Sequence, residues 1–423
     1  MRRRGMLAAA GVAVLGPGGA AGTAPVGKGP VENVPVRVRT GMDRLAGEGW
    51  ARLRGETVGV VSNLTAVDRE YRHLVDRMHA AGVRIGGIFG PEHGFRGAAP
   101  AGGGAAKAID ARTGLTVYDG YRATDEDWAR LFEEAAVRTV VFDMQDVGAR
   151  FYTYIWTLYD SMAGAARRGL RYVVLDRPNP IGGRAGGPGL DPAFASGVGR
   201  REIVLRHGMT VGELARFFQG EWLPRVRLEV VGCEGWHGGL FARDTDVPWV
   251  MPSPNMPTPD TALVYPGTCL FEGVASLSEG RGTTRPFELA GAPGFDHRWR
   301  DRVAAHDLAG AEFREAYFEP RVGEFEGRLC AGVEVRVSDQ VSFDPIRVAV
   351  TMLFEARRFP GFAWRDDGGT RPYFVDLLAG GSRLRTMLDA GAAPAEVAGS
   401  WRDEVEAFER RRRPYLLYRR PSA

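Results

Sequence analysis

From residue 57 onwards, short apolar runs alternate with longer stretches in which apolar positions recur every three or four residues. Residues 57–62 predict a buried strand, 69–80 a helix and 83–89 the next strand. A helix is expected over 125–136, with Thr124 placed to cap it and acids in its first turn. A strand at 139–143, a helix near 155–168 and a strand at 172–176 follow. Four apolar strands separated by helices predict an α/β domain with a mostly parallel, Rossmann-like sheet covered on both faces. Beyond it, 210–218 predict a helix and 227–231 a strand. Pro248, Pro252, Pro254, Pro257, Pro259 and Pro266 then predict a stiff, extended connection over 248–266. A boundary at its start gives a first domain of 36–247 and a smaller α+β auxiliary domain of 248–423. In the latter, 332–337 and 346–351 predict strands, and 395–410 a helix that Pro394 opens.

Composition adds a destination and removes several partners. Arg2, Arg3 and Arg4 precede a short apolar stretch over 6–15 and small residues over 19–24, so 1–30 is expected to be an export signal. The protein is then secreted or associated with the cell wall, and the arginine pair is compatible with a twin-arginine route. No later segment reaches the roughly 20 apolar residues of a membrane span. The net charge is only +3, with Lys28 and Lys107 as the sole lysines, so neither nucleic acid nor a membrane surface is an expected partner. Cys233, Cys269 and Cys330 are too few and too widely spaced for a zinc or iron–sulfur site. Two of them pairing and three buried thiols are both compatible with the spacing.

The chemistry concentrates where strands end. The first runs into Asn63, the second into Pro91-Glu92-His93, the third into Asp143-Met-Gln145-Asp146-Val-Gly148-Ala-Arg150, and the fourth into Asp176-Arg177-Pro-Asn179. In an open parallel sheet these loops share one edge, where ligands bind. Glu92 stands out, because glycines on either side and Pro91 stop the strand and present the acid. No G-x-G-x-x-G follows the first strand and no Walker lysine motif exists, which disfavours nucleotides. His93, Asp143 and Asp146 are the conceivable metal ligands, but the seven histidines are scattered, so no cofactor is expected. Carboxylates at Glu92, Asp143, Asp146, Glu272 and Glu279 accompany Phe151, Tyr152, Tyr154, Trp156, Tyr265 and Phe271. Acids for the leaving oxygen and aromatic rings for a pyranose face suggest a sugar substrate. Alternatively, the 151–156 stripe is the buried entry of a helix.

The segments Phe89-Gly-Pro-Glu-His-Gly-Phe-Arg-Gly97, Phe142-Asp-Met-Gln-Asp-Val-Gly-Ala-Arg-Phe-Tyr-Thr-Tyr154, Leu175-Asp-Arg-Pro-Asn-Pro180, Pro252-Ser-Pro-Asn-Met-Pro257 and Tyr265-Pro-Gly-Thr-Cys-Leu-Phe-Glu-Gly273 resemble the NamZ-type exo-β-N-acetylmuramidases. The resemblance spans nearly all of the chain after residue 30. It implies a glycoside hydrolase that removes terminal N-acetylmuramic acid from peptidoglycan-derived glycans or muropeptides, with the cleft between a Rossmann-like and an auxiliary domain. Glu92 is then the expected general acid, and His93 orients it or bonds the sugar. Asp143 or Asp146 is expected as the second catalytic group, acting as base or nucleophile or holding the acetamide, and Glu272 is the other candidate. Asn63, Arg96, Gln145, Arg150, Tyr152, Asp176, Asn179, Asn255, Glu272 and Arg281 are expected to bind substrate. The lactyl carboxylate calls for a guanidinium, for which Arg150 and Arg281 are favoured. The chain departs from the family pattern in its Ala/Gly-rich loop 98–107 and in the run Val274-Ala-Ser-Leu-Ser-Glu279. A non-catalytic binding protein for cell-wall sugars and a metal-dependent ester or amide hydrolase are the alternatives.

Overall fold

The computed structural model describes residues 34–97 and 107–420. The expected export signal and nearly all of the loop at 98–107 lie outside them. At the centre of the structure is β1 (Val58–Ser62), all five residues of which are buried. It pairs with β2 (Ile85–Gly90) on one side. After β3 (Ala108–Ile109) and β4 (Thr116–Asp119), it pairs with β5 (Thr139–Asp143) on the other. Then come β6 (Arg171–Leu175), a separate two-stranded pair of β7 (Gly186–Gly189) and β8 (Val204–Arg206), and β9 (Arg227–Val231). The main sheet has seven strands in the order β3-β4-β2-β1-β5-β6-β9, parallel throughout except for β3 against β4.

The strands read as unbroken apolar runs because both faces are covered. Val58, Val60, Ile88, Val141 and Val173 pack with Met42 and Leu45 of α1 (Gly41–Gly47) and with Leu74, Val75 and Met78 of α2 (Leu74–Ala80). The alternate residues Val61, Phe89, Val140, Phe142 and Val174 pack with α3 (Asp125–Glu134), α4 (Tyr154–Arg167) and α5 (Val211–Glu221) through Trp128, Phe132, Ile155 and Leu214. Each such side chain contributes about 1.5–3 kcal/mol on burial. Strand order runs outward from β1 to β2 and β4, then crosses back to β5 and proceeds the other way. Loops leaving β1 and β5 therefore diverge and open a crevice at the carboxyl edge.

Helix starts follow local chemistry. Thr124 and Asp127 form the capping box expected of α3. The helix expected at 69–80 begins only at Leu74. Asp68 accepts from the Glu70 and Arg72 amides at 3.0 and 2.9 Å, closing a turn, and His73 Nδ1 caps the helix by accepting from Val75 N at 3.1 Å.

The smaller domain has α6 (Pro259–Thr268), β10 (Leu289–Ala292), α7 (His297–Ala304), β11 (Ala311–Phe318), β12 (Cys330–Val337) and α8 (Pro345–Ala356), with an antiparallel sheet of order β10-β12-β11. Three expectations fail here. The proline-rich connection ends early, because Thr258 caps α6, Pro259 occupies its first turn and Pro266 sits in its last. The strand expected at 346–351 is part of α8, where Asp344 accepts from the Ile346 and Arg347 amides and Pro345 opens the helix. A short apolar run does not distinguish a buried strand from a buried helix. After α9 (Phe374–Ala379) and α10 (Arg383–Asp389), the expected single helix at 395–410 is two, α11 (Pro394–Gly399) and α12 (Arg402–Arg412), with the buried Trp401 between them. The chain end then returns to the first domain. Arg412 donates to the carbonyls of Gly183, His207 and Gly208, and Tyr418 donates to Asp176.

Candidate active site

The turn after β2 is built by residues with little steric freedom to spare. A Cβ on Gly90 would lie 2.7 Å from Phe95 N, so only glycine lets the chain fold back there. Gly94 N donates to Pro91 O at 2.9 Å, and His93 and Gly94 both adopt left-handed backbone, with φ of 69° and 74°. A left-handed histidine costs conformational energy and is held by its surroundings. His93 is buried, Glu92 half-buried, and both line one wall of a cleft. Thr153 Oγ1 donates to Glu92 Oε2 at 2.8 Å. Because Thr153 immediately precedes α4, the loop after β5 fixes the carboxyl presented by the loop after β2.

Other walls come from the 248–258 connection and the smaller domain. Ser253, Asn255 and Met256 face the cleft, as do Tyr265 of α6, Cys269 and Glu272 of the turn after it, Arg281 and Phe287, and Phe374 and Leu378 of α9. The aromatic rings interlock edge to face. Tyr152 meets Tyr154 at 5.0 Å and Tyr265 at 5.8 Å, Phe151 meets Tyr265 at 5.2 Å, and Tyr265 meets Phe287 at 4.7 Å. Burial pushes the phenols of Tyr152 and Tyr265 well above their ordinary range, so at neutral pH they offer hydroxyl groups and not phenolates. Arg281 Nη2 lies 2.6 Å from Glu272 Oε1, and its Nε 3.1 Å from Glu279 Oε1. The guanidinium sits over the Phe287 ring at 4.9 Å. Burial, with Glu272 nearby, pushes Glu279 up to about 7 against the pull of Arg281.

Of the residues singled out in the sequence, Glu92, His93, Tyr152, Asn255, Glu272 and Arg281 come together in this cleft. The others are occupied elsewhere. Asp143 is fully buried and paired with Arg177 through both oxygens, with burial holding its pKa above the ordinary value despite that pair. Asp146 accepts from Gly148 N at 2.7 Å and meets the buried His207 at 3.1 Å. Neither lines the cleft, which removes the structural basis for their expected catalytic roles. Arg96 forms a two-point pair with Asp110 at 3.1 and 3.0 Å and does not line the cleft. Arg150 is wholly buried and donates to the carbonyls of Pro188, Ile203 and Leu378, each at 2.9 Å, and burial pushes it down to about 9. It ties α9 to the first domain and is no carboxylate receptor.

Asp176 accepts from Gly212 N and Thr210 Oγ1 at 2.7 and 2.8 Å, so it anchors the start of α5. Asn179 bridges Ile181 N and Met209 O, Gln145 donates to the Asp146 and Pro178 carbonyls, and Asn63 caps its own loop through Thr65. These four shape the carboxyl edge without lining the cleft. Trp156 is core, donating to Arg150 O and stacked on Phe218, whereas Tyr154 is both buried and cleft-lining. Sequence reasoning did not single out Thr153, Val198, Ser253, Phe287, Phe374 or Leu378. Thr153 had a signal, as the polar residue inside the aromatic stripe. Phe374 and Leu378 had none, since only the packing of α9 brings them there.

Comparison with known proteins identifies the family. Models of the N- and C-terminal parts of exo-β-N-acetylmuramidase NamZ match residues 58–260 and 263–418. The chain is 37% identical over 404 residues to the peptidoglycan β-N-acetylmuramidase NamZ of Bacillus subtilis strain 168, covering 94% of this chain and 95% of that protein. Two crystal structures of DUF1343 family proteins from Bacteroides fragilis are similar. One has a TM-score of 0.82 at 28% identity and covers 91% of this chain and 100% of its own. The other has a TM-score of 0.73 at 30% identity and covers 91% and 99%.

Proposed function

Because the chain belongs to the NamZ exo-β-N-acetylmuramidase family, we propose that it is an exo-acting glycoside hydrolase that removes terminal β-linked N-acetylmuramic acid from the non-reducing ends of peptidoglycan fragments. One observation carries the reading: Glu92 and Arg281 line the same aromatic cleft. An acid able to protonate a glycosidic oxygen thus shares a site with a guanidinium able to hold the lactyl carboxylate of muramic acid.

In this reading Glu92, oriented by Thr153, gives its proton to the leaving oxygen as the bond to the anomeric carbon breaks. Glu272 is the only one of Asp143, Asp146 and Glu272 that lines the cleft. It takes the second role, stabilising positive charge at the anomeric carbon until water adds there and releases a proton. Tyr152 and Tyr265 donate hydroxyls or stack on the ring, and Asn255 and Ser253 bond the acetamide. The succession of basic, apolar and small residues in 1–30 supports export, which would bring the enzyme to the wall.

The test is a pair of chromogenic substrates, a β-N-acetylmuramide and the β-N-acetylglucosaminide that lacks only the lactyl ether. The muramide is expected to be hydrolysed about 10- to 150-fold faster in kcat/KM, since a lost charge-assisted contact is worth about 1.5–3 kcal/mol. Equal turnover of both would remove Arg281 from recognition, and turnover of neither would reject the assignment.

A further inference from the structure

Arg281 lies between two carboxylates, and the mechanism above uses only one of them. Glu272 is 20% exposed and faces the cleft, whereas Glu279 is 2% exposed behind the guanidinium. Glu279 Oε1 meets Arg281 Nε at 3.1 Å, while its Oε2 is buried with no hydrogen-bond partner among the described residues. An ionised carboxylate with one buried, unsatisfied oxygen is costly, and a proton on that oxygen relieves the cost.

The backbone of the loop that carries Arg281 is closely packed on both sides of that residue. A Cβ on Gly280 would fall 2.6 Å from Leu289 O, and one on Gly282 2.5 Å from Val322 N. Ser278 and Gly291 exchange both backbone hydrogen bonds, at 2.8 and 3.0 Å.

We propose that Glu279 is a positioning residue that takes up one proton when a ligand carboxylate pairs with Arg281, so that capture of the acidic sugar is coupled to proton uptake. This rests on the reading of Arg281 as the lactyl-carboxylate site. The charge count requires relief: a third carboxylate around one guanidinium would leave a net charge of about −2 in a poorly hydrated pocket. Of the two resident acids, the more buried one is the cheaper to neutralise.

The groups acting on Glu279 are Glu272, which favours its protonation, Arg281, which opposes it, and the more distant Glu324. Tyr265 and Cys269 also adjoin the Arg281 pair, and burial keeps both neutral. The same burial and the Glu272 charge set Glu279 at about 7, poised to change state within the physiological range. Below that pH Glu279 already carries its proton and binding takes up none. Above it, uptake approaches one proton and affinity falls by up to about tenfold per pH unit.

Titration calorimetry of the whole protein with free N-acetylmuramic acid, in buffers of different ionisation enthalpy, reads the proton count directly. N-acetylglucosamine serves as the ligand without a carboxylate. The wild type is expected to take up nearly one proton at about pH 8 and nearly none at about pH 5.5, N-acetylglucosamine none at either, and Glu279→Gln none with N-acetylmuramic acid at either. Zero uptake by the wild type at the higher pH overturns the proposal without any variant, and so does full uptake by a folded Glu279→Gln. A protein that hydrolyses muramides but shows no proton linkage loses this inference alone. One that neither binds nor hydrolyses them loses the functional reading as well.

Discussion

Asp143 and Glu92 end strands on either side of β1, yet one is locked in the core and the other lines the cleft. The difference lies in what each meets across the loop: Asp143 meets the guanidinium of Arg177, and Glu92 the hydroxyl of Thr153. Removing the charge of Asp143 leaves Arg177 buried and uncompensated, so Asp143→Asn is expected to cost about 3–5 kcal/mol of stability. Denaturant unfolding measures that loss, while the kcat of the folded fraction stays within a few-fold of wild type. A collapse of kcat without loss of stability would return Asp143 to the chemistry. Arg150 teaches the same lesson. Beside acids and aromatics in sequence it reads as a substrate-binding guanidinium, but its partners are three carbonyls from distant segments. Residue type and neighbours pointed to Glu92 and Arg281, which line the cleft, whereas burial and long-range partners, which a local reading does not contain, hold Asp143, Arg96 and Arg150 outside it.

At the scale of elements, the parallel strands and their helices were legible wherever apolar periodicity and caps agreed, as in β5 and α3. The order of the strands was not legible there, and neither β3 nor β4 was expected. What misled was an apolar run of helix-compatible length in α8 and a proline-rich stretch whose last part is α6, since proline opens a helix as readily as it stiffens a loop. The start of α5 carries a testable consequence. Asp176 holds the Thr210 hydroxyl and the Gly212 amide, and burial pushes its carboxyl up to about 7 even though Tyr418, Gly212 and Thr210 all pull it down. A carboxyl that binds its proton more tightly when folded stabilises most below its unfolded value, near 3.8, and loses that contribution as pH rises through about 7. Asp176, Asp160 and Glu279, raised to about 7, 6 and 7, therefore each contribute a decline in stability from about pH 4 to about pH 7, while His73, which burial holds down to about 4, contributes a rise over the lower part of the same window. Asp176→Asn should flatten part of that slope in unfolding curves taken across the window. An unchanged slope would mean that Asp176 does not titrate there.

Across the whole molecule, one apolar core runs from the first domain into the second, with Phe142, Phe151, Tyr265, Phe287 and Leu378 in the same cluster. Arg150 fastens α9 to the first domain, and the chain end returns to it through Arg412 and Tyr418. The cleft is made jointly, and neither part holds both Glu92 and Arg281. Scanning calorimetry should accordingly give a single cooperative transition, whereas two resolved transitions would show that the domains are stable apart. The joint site also explains why Glu92 was more legible in the sequence than its surroundings: it is marked by its own loop, but Phe374 and Leu378 come to line the same cleft only through tertiary packing. In the proposed function Glu92 protonates the leaving oxygen at a terminal N-acetylmuramic acid. The most direct test is mass spectrometry of peptidoglycan fragments with muramic acid at the non-reducing end, incubated with wild type and with folded Glu92→Gln. Wild type should release free N-acetylmuramic acid and leave internal linkages intact, with the variant slower by about 10²–10⁴-fold. Release at the wild-type rate by Glu92→Gln, or cleavage within the glycan and not at its end, would contradict the account.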